Sequence, residues 1–169
     1  MLGIAAPQHF MANELSPKEI ETLKSRFIAA ECAVTGLDDS TFEVVSDDFP
    51  VRTHVYATPY YLQLATNILA KPKQRVPIER VREFLCAINL KASFVKFTMD
   101  TDKSDAQTEA WPILASVKLV TGVAGGDYQA SAIKNVFMLW LQDIAELMAE
   151  PPDGFEIHPM MDLERLSDA

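Results

Sequence analysis

The spacing of apolar residues along the chain switches between a helical and a strand period several times. Ser16-Pro17-Lys18-Glu19 opens the first helical stretch, with Ser16 placed as N-cap, Pro17 at N1 and Glu19 at N3 of a capping box. Ile20, Leu23, Phe27, Ala30 and Val34 follow on one helical stripe, and Gly36 is expected to close it as a C-terminal cap. The period then drops to two. Thr41 to Val45 predicts a short strand and Val51 to Ala57 a second, with Val51, Thr53, Val55 and Ala57 on one face and Arg52, His54 and Tyr56 on the other. Tyr60, Leu62, Leu64 and Ile68 continue the alternation as a third strand, so the three read as an antiparallel meander.

A second helix is expected from Ile78 to Leu90, with Ile78, Val81, Phe84, Leu85 and Ile88 inward. Strands over Phe94 to Met99 and Ile113 to Val120 follow, the latter placed centrally because both its faces are apolar. Asp127 is a candidate N-cap for a last helix bearing Ile133, Val136, Phe137, Trp140, Leu141, Ile144, Leu147 and Met148, stopped at Pro151-Pro152. The order is α-β-β-β-α-β-β-α. It predicts an α+β fold, a twisted antiparallel sheet with helices packed mainly on one face. Residues 1–15 read as a flexible N-terminal segment, with Met11 an alternative start to Met1. Residues 16–150 form a single domain. Residues 151–169 form an acidic tail whose apolar comb (Phe155, Ile157, Met160, Met161, Leu163, Leu166) leaves both a docked and an extended form open.

Composition supports a globular protein: 49% of the 169 residues are hydrophobic and 23% charged. No apolar run reaches the roughly 20 residues a membrane span requires, and no basic leader with an apolar core stands at the N-terminus. The chain is therefore expected in the cytoplasm, without a membrane partner, with Cys32 and Cys86 as buried reduced thiols. The net charge is −9, with eight acidic side chains and one base between Asp143 and Ala169. Such a chain is a poor ligand for nucleic acid. The short basic stretch Lys71, Lys73, Arg75, Arg80 and Arg82 suits an acidic partner or the tail of a neighbouring subunit instead.

The candidate chemistry is sparse. His9, His54 and His158 form no metal-ligating pair, and the cysteines lack a C-x-x-C spacing, so no metal is expected. No serine stands in a G-x-S-x-G elbow. Gly122 to Asp127 lacks the lysine and hydroxyl of a phosphate loop, and Asp47-Asp48 and Asp100 to Asp105 lack the glycine and distal glutamate of a calcium loop. No catalytic residue and no cofactor is expected.

The stretch Val76-Pro77-Ile78-Glu79-Arg80-Val81-Arg82-Glu83-Phe84-Leu85-Cys86-Ala87-Ile88-Asn89 resembles the middle helix of the YbjN-like family of bacterial sensory-transduction regulators, which ends in a Leu/Ile-Asn pair. The strand, acidic turn, strand, glycine-containing loop and final helix that follow are similar to that family too. The resemblance implies the fold of type III secretion chaperones, usually dimeric, and a module without an active site. Eight large apolar residues on the last helix exceed what one side of a small sheet needs. Phe137, Trp140, Leu141 and Ile144 are thus the expected surface for a protein client, a regulatory partner or a second copy in a homodimer. The expected function is non-catalytic protein binding, regulatory or chaperone-like. Two alternatives stay open: a dedicated type III secretion chaperone, and a small-molecule-binding protein or enzyme using Tyr56, His54 and Tyr60 around a pocket between sheet and helices.

Overall fold

The first helix begins where its capping residues place it. In a computed structural model of the chain, α1 spans Pro17–Ala29. The Glu19 carboxylate accepts from the Ser16 backbone N–H at 2.8 Å and from the Ser16 hydroxyl at 2.6 Å, while Glu19 N–H donates back to that hydroxyl. Hydrogen bonding from Ser16, first its hydroxyl and then its backbone, holds the Glu19 carboxyl below the usual carboxylate range. The structure describes residues 15–37, 41–46, 51–99, 110–120 and 130–159. Asp47-Asp48, Asp100 to Asp105, Gly122 to Asp127 and His9 lie outside them.

The helix ends seven residues before Gly36, which corrects the sequence reading. Glu31 takes a φ of +63° and turns the chain back. Cys32–Gly36 then forms β1, antiparallel to β2 (Thr41–Ser46). Ala30 and Val34 fit a helical stripe by spacing, yet Val34 and Thr35 are β-branched and Cys32 and Val34 are also two apart, which serves a strand equally well. Cys32 is accordingly buried from a strand rather than a helix.

The remaining elements are β3 (Thr53–Ala57), β4 (Tyr61–Pro72), α2 (Ile78–Lys91), β5 (Lys96–Met99), β6 (Trp111–Val120), α3 (Ala130–Ala149) and β7 (Phe155–Pro159). The architecture is α+β, with seven described strands in one antiparallel sheet of order β1-β2-β3-β4-β6-β5. Central placement of the strand from Ile113 holds, since β6 is paired on both edges, with β4 and β5. β4 pairs with β6 along Tyr61 to Ala70. Its other edge is shared: β3 takes Leu62 to Ala65 and β7 takes Ile68 to Pro72. Residues 155–159, read from sequence as part of a tail, are thus a strand of the sheet, with Phe155 and Ile157 in the core.

Alternation decides which face of the sheet is covered. Phe42, Val44, Thr53, Val55, Leu62, Leu64, Ile68, Ile113 and Ala115 point to one side and are essentially inaccessible. All three helices pack there. Phe27 of α1 meets Phe42 of β2 edge-on at 5.6 Å and Phe137 of α3 at 5.8 Å. Phe84 of α2 lies 4.3 Å from Phe155 of β7. Trp140 of α3 is fully buried, and its Nε1–H donates to the buried Thr53 hydroxyl at 2.9 Å. That bond satisfies the polar groups at the centre of the layer interface.

Trp140→Phe should cost about 1–3 kcal/mol by stranding the Thr53 hydroxyl, with a further penalty for lost volume. Adding Thr53→Val should recover part of the loss, because no buried polar group then lacks its partner; chemical denaturation of the two variants measures this. Because the folded pKa of Glu19 is depressed, its helix-start stabilisation is present above the ordinary carboxylate range and fades as pH falls below it. Glu19→Gln should flatten that part of the acid dependence of Tm.

Candidate functional site

The four residues expected to bind a partner are core residues. Trp140 and Ile144 have no exposed surface, and Phe137 and Leu141 are 3% and 5% exposed. The apolar excess of α3 is used by the sheet beneath it and by α1, because a seven-stranded sheet offers more surface than the five strands legible in sequence. A partner could reach these side chains only if the domain opened. The apolar residues α3 does present are Met138 and Leu139, each about half exposed.

The opposite face of the sheet carries no described layer. Cross-strand register aligns its side chains in rows: Tyr56, Gln63 and Lys118 in one, and Glu43, His54, Ala65, Ser116 and Lys96 in the next. His54, Tyr56 and Tyr60, expected around a pocket between sheet and helices, are not brought there. His54 and Tyr56 stand on this open face, and Tyr60 is 58% exposed in the turn between β3 and β4. That corrects the pocket reading: outward positions of a strand cannot line an interface built by the inward ones.

On the open face Tyr56 and Tyr61 lie 6.1 Å apart, and the Lys118 ammonium sits 3.7 Å over the Tyr61 ring as a cation–π contact. Glu43, only 14% exposed at its side chain, is held between Arg52 at 3.6 Å and His54 at 3.4 Å. Arg52, Lys71, Lys96 and Lys118 outnumber Glu43 and Glu156 on this face, against the chain's overall negative charge. The surface is broad, aromatic at one end and locally basic.

A cleft of about 370 Å³ opens elsewhere, between the C-terminal ends of α2 and α3 and strand β5, lined in part by Ile88, Lys91, Phe97, Asp143, Glu146 and Leu147. Its buried carboxylate is committed to structure. Asp143 Oδ2 accepts from Phe94 N–H at 2.6 Å and Val95 N–H at 2.8 Å, and Oδ1 from Ser93 N–H at 3.3 Å. Asn89 completes the same corner. Its amide oxygen accepts from Phe97 N–H and its amide nitrogen donates to Phe97 C=O, both at 2.8 Å. The side chain acts as a strand of one residue on the free edge of β5. No Ser, Cys or His lines the cleft among the described residues.

Cys32 is buried and Cys86 is exposed on α2, which corrects the expectation that both thiols are buried. No cluster of three metal-ligating side chains occurs among the described residues, and no helix there is long and apolar enough to cross a membrane.

These features define an α+β domain with one helix-covered sheet face, one open face and a corner clamped by Asn89 and Asp143. No protein-family model and no curated protein sequence matches the chain. Solved structures do. YbjN from E. coli, named as a candidate transcription regulator, is similar at 10% identity and a TM-score of 0.56, covering 79% of this chain and 91% of that one. An uncharacterised protein from Methanothermobacter thermautotrophicus is similar at 15% identity and a TM-score of 0.50, covering 78% and 97%. The chain has a YbjN-like fold.

Asn89→Ala should cost about 1–3 kcal/mol, because it leaves the outward N–H and C=O of Phe97 without their side-chain partner. Asp143→Asn should cost a similar amount: an amide presents one acceptor where three backbone donors converge. Hydrogen exchange at Ser93 to Phe97 separates the two, with Asp143→Asn freeing Ser93, Phe94 and Val95 and Asn89→Ala freeing Phe97.

Proposed function

We propose that the protein is a non-catalytic protein-binding module of regulatory type, and that its partner docks on the open face of the sheet. The observation that carries this reading is the concentration of Tyr56, Tyr61, Lys118, Arg52 and Lys96 on a sheet face with no described covering layer, in a chain of net charge −9. Aromatic side chains and arginine are what interfaces enrich, tyrosines anchor a partner at low entropic cost, and the lysines supply charge complementarity at the rim. The partner that fits is a protein segment carrying acidic side chains, laid across the strands. The reading places the protein in the cytoplasm, where Cys32 and Cys86 would stay reduced. It also places the partner away from Phe137, Trp140, Leu141 and Ile144, whose burial commits them to the core.

Affinity capture from native lysate tests the reading when wild type is run beside Tyr61→Ala/Lys118→Glu and beside Leu90→Ser, a change at a fully presented position on α2. A stoichiometric protein kept by wild type and Leu90→Ser but lost by the double variant is the expected result. Each aromatic anchor removed should weaken binding by about 1–2 kcal/mol or more. Equal capture by all three, with the double variant folded by circular dichroism, would refute docking on this face.

A further inference from the structure

Strand β7 stops where the edge of β4 runs out. β7 takes that edge from Pro72 to Ile68, and β3 takes it from Ala65 to Leu62. Between them the Thr66 hydroxyl donates to the Arg52 C=O at 2.7 Å, so the segment entering β3 already lies against the edge. Only Asn67 is left between the two, and the residues that follow Pro159 cannot go on pairing along β4. The helix side of this junction is filled, with Val51, Thr53 and Trp140 buried there. The open face begins at the same point, where Asn67 and Arg52 are exposed.

The sequence after Pro159 suits that face. Residues 160–169 carry Met160, Met161, Leu163 and Leu166 among Asp162, Glu164 and Asp168, with Arg165 as their one base. On the open face Asn67 pairs in register with Leu114, which is 38% exposed, and Leu69 stands two positions along from Asn67. Beyond them stand Lys96 and Lys118. Of the two described carboxylates on this face, Glu156 lies opposite Lys71 at the far end of β7, and Glu43 is held between Arg52 and His54. Acidic side chains entering beside Arg52 therefore meet a net positive surface with apolar contacts at its start. Reach is sufficient: ten extended residues span about 33 Å. The two strand spacings from β4 to β5 come to about 10 Å, and Asn67 to Tyr61 along β4 to about 20 Å.

We propose that residues 160–169 fold back over the open face of their own sheet and occupy it, so that an acidic partner has to displace them. The displacement, though not the contact itself, rests on the docking of a partner at this face.

Carbodiimide coupling of the full chain at micromolar concentration, read by peptide mass mapping, should join Lys96 or Lys118 to Asp162 or Glu164 within one chain. Leu163→Ser/Leu166→Ser should lose these links with its circular dichroism spectrum unchanged. Links found only between isotopically heavy and light copies would overturn the inference in favour of a second copy, and so would links unchanged in the double variant. A synthetic peptide of residues 160–169 is the probe for displacement. Its apparent dissociation constant should be at least about tenfold higher for wild type than for Leu163→Ser/Leu166→Ser, because a tethered segment competes at an effective concentration on the order of mM. Adding Lys118→Glu to the double variant should weaken the peptide again. Equal peptide binding by wild type and the double variant, or none by either, would overturn the proposal. Neither measurement involves a lysate partner. Intramolecular links together with a failed capture would therefore refute partner docking while leaving the contact standing.

Discussion

Strand β4 has to satisfy three neighbours at once, and much of the molecule follows from how it does so. One edge is occupied by β6 over Tyr61 to Ala70, and the other is divided between β3 and β7. Its twelve residues alternate without a break, so Leu62, Leu64, Thr66, Ile68 and Ala70 all face the helices. A one-residue slip would turn that set to the open face and strand Tyr61, Gln63 and Asn67 in the core. The register of β3, β6 and β7 is fixed by this one strand, and so is the choice of which face the helices cover.

The one-sidedness has a chemical consequence. Because α1, α2 and α3 all bury against the same face, their apolar stripes are consumed there, Trp140 with its bond to Thr53 most completely. The other face is left to be built from side chains that tolerate water yet still offer contact area: Tyr56, Tyr61, Lys118, Arg52 and His54. The open face and the core are then built from separate sets of residues. Substitutions on the open face therefore cost the core little stability.

Polar side chains also do backbone work in this fold. Asn89, the residue that closes the family-like helix segment, supplies both a donor and an acceptor to Phe97, and Asp143 gathers three N–H groups from the segment entering β5. These contacts account physically for an asparagine at the end of α2. They also seal the β5 edge of the sheet, a role invisible from propensity.

By itself the sequence determined the local order. The capping box at Ser16 and Glu19, the inward faces of β3 and α2, and the stop of α3 before Pro151 all follow from period, caps and breakers, which act over a few residues. Two strands were not legible, for the same reason. Cys32–Gly36 carries apolar spacing compatible with either period, and Phe155–Pro159 is too short and polar to declare itself until β4 offers it an edge. The apolar face of α3 is core rather than surface because the area that buries it includes strands the sequence does not declare. Only the tertiary structure decides whether a hydrophobic stripe is core or surface, since burial is a property of what lies opposite, and what lies opposite comes from distant parts of the chain.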